Sequence, residues 1–111
     1  MSYERMAHDV RLESGPGGDS AYLHIDGAIA AVPRDGPYFA SRASDFRDLA
    51  QAGELRAGII VQKPGFGWCL LDGAGAEFCV SWRVFRTRED AAKDAEKVLA
   101  ILRECPPRGR I

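Results

Sequence analysis

Two histidines, three cysteines and a short run of arginines carry most of the chemical reach of this chain. His8 and His24 both fall in stretches that read as strands. Asp26 follows His24 at i+2, the spacing that sets two side chains on one strand face. A histidine beside a carboxylate can serve as a general base or hold a metal, but on a strand it is more often a half-exposed structural residue. Cys69, Cys79 and Cys105 form an odd set with no C-x-x-C spacing, so neither a disulfide framework nor a cysteine zinc site is expected. The hairpin after Leu71 decides what Cys69 faces. A longer loop brings Cys79 across from it, whereas a two-residue Asp72-Gly73 turn places Ala76 there, and the apolar alternation favours the second. The thiols are read as structural.

The arginines are the more distinctive feature. Arg83, Arg86 and Arg88 lie between Trp82 and Arg88 with no acid among them, and Thr87 opens a helix in the same stretch. Free N–H groups of a first helical turn and guanidinium groups can converge on an anion, which makes Arg83, Arg86, Thr87 and Arg88 a candidate anion site. Ser41 and Arg42 occupy the equivalent place earlier in the chain. Glu89 and Asp90 follow at once and compete for the same cations, so a solvated helix entrance is the simpler reading. Gly15-Pro16-Gly17-Gly18 lacks the Lys-Ser/Thr of a phosphate-binding loop and Gly65-Phe66-Gly67 does not open a helix; both read as turns. No catalytic set, metal site or cofactor is nominated.

The elements that would hold these residues follow from periodicity. Strands are expected over Met6–Leu12, Ala21–Ile25, Ala28–Val32, Leu55–Gln62, Gly67–Leu71 and Phe78–Phe85. Asp26-Gly27 suits a two-residue hairpin that returns Ala28, Ala30 and Val32 on the face of Ala21, Leu23 and Ile25. In the last strand the alternation buries Phe78, Val80, Trp82 and Val84 together, with Trp82 meeting Leu99 in the core and Arg83 facing outward. A short helix is expected over Ser41–Gln51, ended by Gly53. A long helix follows Thr87, with Ala91, Ala95, Val98 and Leu102 as its apolar stripe, and stops at Cys105-Pro106-Pro107.

An offset of 46 residues lays Tyr22–Val32 on Trp68–Phe78 without a gap. Asp26, Gly27, Ala28 and Ala30 then fall on Asp72, Gly73, Ala74 and Ala76, and Phe39, Arg42 and Asp48 on Phe85, Arg88 and Asp94. The expectation is an internal duplication, residues 6–53 and 54–104, each a β-β-β-α unit of an α+β domain spanning 1–111, with 105–111 a loose tail. Units this small cannot bury their own apolar faces and must share a core. The strand order, the length and the F-x-[ST]-R helix entrances at Phe39 and Phe85 resemble the small bacterial tandem-repeat domains typified by YegP. That resemblance implies the paired-repeat fold and brings no catalytic residues; the Asn-Gly turn and helix pattern of those domains are absent here.

Composition bounds the rest. A formal charge of −1, from 15 basic and 16 acidic residues, supplies no field to draw the chain to nucleic acid or an anionic membrane. The first residues lack an apolar leader, no run approaches a membrane span, and the reduced cysteines fit a bacterial cytoplasm. The function expected is non-catalytic: a small binding or regulatory module contacting another protein or a second copy of itself, with no membrane role. Nucleic-acid or phosphate-ligand binding through Arg83, Arg86 and Arg88 is the alternative, and an enzyme using His24 or a cysteine is the third.

Overall fold

The computed structural model describes residues 8–14, 21–33, 43–105 and 107. It is an α+β fold of one antiparallel six-stranded sheet and two helices. The strands are β1 (Val10–Ser14), β2 (Ala21–Ile25), β3 (Ala28–Pro33), β4 (Arg56–Gln62), β5 (Gly65–Leu71) and β6 (Glu77–Ser81). Helix α1 (Ala43–Ala52) follows β3 and helix α2 (Arg88–Glu104) follows β6. In space the order is β1-β2-β3-β6-β5-β4, so β3 and β6 meet at the centre and β1 and β4 lie outermost. The expected helix at Ser41 and Arg42 begins outside the described residues, as do Phe39 and the Gly15–Gly18 turn.

Both helices lie on one face of the sheet. Val10, Leu12, Leu23, Ala31, Trp68, Leu70, Phe78 and Cys79 pack with Phe46, Ala50, Ala95, Val98 and Leu102 in a single buried cluster. The alanines of α2 lack bulk, which lets its first turns sit close on β4 and β5. Thr87 caps the helix in an extended conformation, its Oγ accepting the Asp90 N–H at 3.0 Å. Gly53, at φ 74°, closes α1: its N–H donates to Ala50 O and the Glu54 N–H donates to Leu49 O, the pair of hydrogen bonds of a left-handed C-terminal cap.

The first hairpin turns on Asp26 (φ 54°) and Gly27 (φ 85°), with Ile25 opposite Ala28, as the dipeptide predicts. The second does not. Leu71 pairs with Glu77 across the segment 72–76, whose fold is fixed by the Asp72 carboxylate accepting the N–H groups of Ala74 and Ala76. Cys69 therefore faces Val80, and Leu70 faces Cys79; neither expected partner of Cys69 is correct. The two hairpins therefore differ in length.

Two bulges correct the expected faces. Between Leu70 and Leu71 the register of β6 slips by one residue, leaving Phe78 without a cross-strand partner. Phe78 and Cys79 then both reach the core, Ser81 follows Cys79 inward, and Val80 and Trp82 turn away from it. Trp82 is consequently 56% exposed and does not join Leu99 in the core, while Arg83 is exposed as expected. The buried tryptophan is Trp68, at 0%. A similar slip between Leu23 and His24 buries Ala31 in place of Ala30 and Val32.

Candidate interaction surface

Strand β6 ends at Ser81, and the chain beyond it is held by the Trp82 N–H, which donates to Ala30 O at 3.0 Å, and by the side chains around Ser81. The Ser81 hydroxyl is buried, accepts the Trp68 N–H at 3.2 Å and donates to Arg83 O at 2.9 Å. Gln62 Nε2 donates to Ser81 O at 3.4 Å. A Cβ on Gly67 would overlap the Gln62 amide and crowd the Ser81 hydroxyl, so glycine is what leaves room for this network. Four residues later Phe85 rejoins β5: its N–H donates to Phe66 O at 2.7 Å, and the Phe66 N–H returns to Phe85 O at 2.8 Å. Gly65 admits this approach, because a Cβ there would overlap the Phe85 carbonyl.

The stretch between the two attachments is thus fixed at its ends and presents its side chains. Trp82 is 56% and Val84 42% exposed. Val61, opposite Phe66 on β4, is 63% exposed, and these three are the exposed large apolar residues among those described. Two of the arginines lie over nearby rings. The Arg83 guanidinium carbon stands 5.4 Å from the Phe85 ring centroid and that of Arg88 stands 5.0 Å from the Phe66 ring, both in cation–π range. Arg86 is exposed. Thr87 is already engaged as the helix cap, and exposed Glu89 and Asp90 stand in the first turn of α2. Arg83, Arg86, Thr87 and Arg88 therefore do lie at one end of the sheet, while Ser41 and Arg42 fall outside the described residues.

The histidines lie on the other side of β3 from β6, His24 on β2 and His8 just before β1. His8 Nδ1 lies 2.8 Å from Asp26 Oδ2, and the Asp9 N–H donates to Asp26 Oδ1 at 2.9 Å. The His8 bond first and the Asp9 N–H second hold the Asp26 carboxyl below its usual pKa. Asp26 is therefore the partner of His8, not of His24. His24 instead lies in a shallow depression with Asp9, Arg11 and Glu13, its Nδ1 3.8 Å from Glu13 and without a hydrogen-bond partner. Among the described residues no three His, Cys, Asp or Glu side chains converge as a metal site. Burial, then neighbouring Cys69 and Glu77, push the Cys79 thiol well above its ordinary pKa, the opposite of an activated nucleophile.

Sequence alternation could not find the exposed Trp82, because the bulge that reverses its face leaves no mark in an apolar stretch. The polar residue inside that stretch, Ser81, is the one local sign that the strand stops there. The chain matches no protein-family model, no curated protein and no solved structure. No described helix is long and apolar enough to cross a membrane.

Proposed function

We propose that this protein is a small non-catalytic binding module that acts by contact with another protein through the segment 82–86. The observation that carries the reading is Trp82, a large aromatic side chain left mostly in solvent on a backbone pinned at Ser81 and Phe85. Exposing an indole forgoes about 1.5–3 kcal/mol of burial, and a preordered loop loses little entropy on docking. Tryptophan and arginine are also the residues most enriched at the energetic centres of protein interfaces. The test is capture from native extract with the parent chain and with a Trp82→Ser, Val84→Ser variant of matched fold. A protein retained by the parent and lost by the variant supports the reading; identical capture by both rejects it.

A second reading uses the same place. Arg83, Arg86 and Arg88, exposed in the same stretch as the exposed Trp82, would suit a single-stranded nucleic acid or another phosphate ligand, with a base stacked on the indole. Its sign is oligonucleotide affinity that falls steeply with salt and is lost in Arg86→Ala, Arg88→Ala. The internal duplication at offset 46 belongs with these proposals. The matching residues and the element order favour it, and the unequal hairpins at Asp26-Gly27 and Asp72–Ala76 weigh against a gapless form.

A further inference from the structure

The outer edge of β4 differs from that of β1 in the ways that govern strand pairing. Strand β1 carries Arg11 and Glu13, with Arg11 Nε 2.9 Å from Asp9 and its Nη1 3.6 Å from Glu13, charges of the kind that keep a sheet edge from being extended. Strand β4, Arg56–Gln62, has no charge between Arg56 and Lys63 and contains Ile59, Ile60 and the exposed Val61.

Its outward groups can be identified. Phe66 exchanges both backbone hydrogen bonds with Phe85, so its N–H and C=O point away from β4. Alternation along an antiparallel strand then turns Gly65, Gly67, Cys69 and Leu71 toward β4, onto Gln62, Ile60, Gly58 and Arg56. The remaining β4 residues, Ala57, Ile59 and Val61, point their N–H and C=O groups off the edge.

We infer that the β4 edge pairs with the β4 edge of a second copy of this chain, antiparallel and centred on Ile59, to form one continuous sheet. In that register Ile59 meets Ile59, and Ala57 of each copy meets Val61 of the other. All three outward residues therefore exchange hydrogen bonds, and no other antiparallel centre on this strand uses all of them. The contact is isologous and closes as a dimer. The side chains agree with the register. Val61, exposed in one copy, gains a neighbour in the other. Gly58 stands opposite Ile60, and Arg56 opposite the uncharged Gln62. This edge is separate from the Trp82 segment, so the two proposals stand or fall independently.

The test is sedimentation of the full chain across a concentration series, with three variants. The parent should dimerise, and Trp82→Ala should dimerise equally well. Val61→Lys, which adds a guarding charge at an already exposed position, should be folded and monomeric. Adding Ala57→Glu to Val61→Lys should restore the dimer, since each Lys then meets a Glu of the other copy in the Ala57–Val61 register. A parent that stays monomeric up to about 1 mM, weaker than any specific dimer in ordinary use, overturns the proposal. So does a dimer that Val61→Lys leaves intact, or one that the added Ala57→Glu fails to restore.

Discussion

The indole N–H of Trp68 donates to Asp94 Oδ2 at 2.8 Å, tying the middle of β5 to the second turn of α2. Truncating Trp68 to alanine should cost about 3–5 kcal/mol in urea unfolding, a large share of a small domain's stability. Asp94→Ala strands the indole donor and should cost about 1–3 kcal/mol. Trp82→Ala, at an exposed site, should stay within about 0.5 kcal/mol of the parent. With Trp82 replaced by phenylalanine, the remaining tryptophan should emit at short wavelength and resist acrylamide quenching.

Attachment of the 82–86 segment depends on Ser81 and Gly65. Ser81→Ala removes a buried hydroxyl that serves both Trp68 N–H and Arg83 O, and should cost about 1–3 kcal/mol. Gly65→Ala forces Phe85 away and should cost about 1–3 kcal/mol with loss of amide protection at Phe85. Gly73→Ala is the control: nothing lies within 4 Å of its added Cβ, and stability should be unchanged or slightly raised.

Thiol reactivity should divide the cysteines by burial. Cys105 is half-buried, whereas Cys69 and Cys79 are buried and the Cys79 thiol is further held in its protonated form. In native protein a disulfide reagent should modify Cys105 first, and Cys79 only on unfolding. Rapid modification of Cys79 in the folded state would contradict this assignment.

The lowered Asp26 pKa has a defined consequence in acid. A carboxyl whose folded pKa lies below its unfolded value stabilises the fold above the unfolded pKa, and that stability is lost as pH falls through the folded one. Asp26→Asn should therefore flatten the acid limb of the stability profile below about pH 4, with little change in its shape near neutrality. Asp26 is exposed, so the effect should be modest and should shrink with salt.

The legible parts of the fold were those set by local chemistry. Thr87 capping α2, Gly53 ending α1 and the Asp26-Gly27 turn each depend on a few adjacent residues, and each stands where the sequence puts it. The faces of β3 and β6 were not legible, because one bulged residue, Phe78 in the second case, reverses the strand positions that follow it without altering the apolar pattern. The candidate arginines were found as a group, yet their rings, Phe66 and Phe85, were not. That pairing crosses strands and rests on Gly65, whose role is visible only beside the Phe85 carbonyl.

Photo-crosslinking in native cells bears most directly on the proposed contact. A benzophenone side chain placed at position 82, and separately at 84, is compared with one at Lys97, exposed on α2. The account predicts a discrete protein adduct from 82 and 84 and none from 97, with the adduct at 84 abolished by Trp82→Ser. The same adducts from all three positions, or nucleic acid in place of protein at 82, would contradict it.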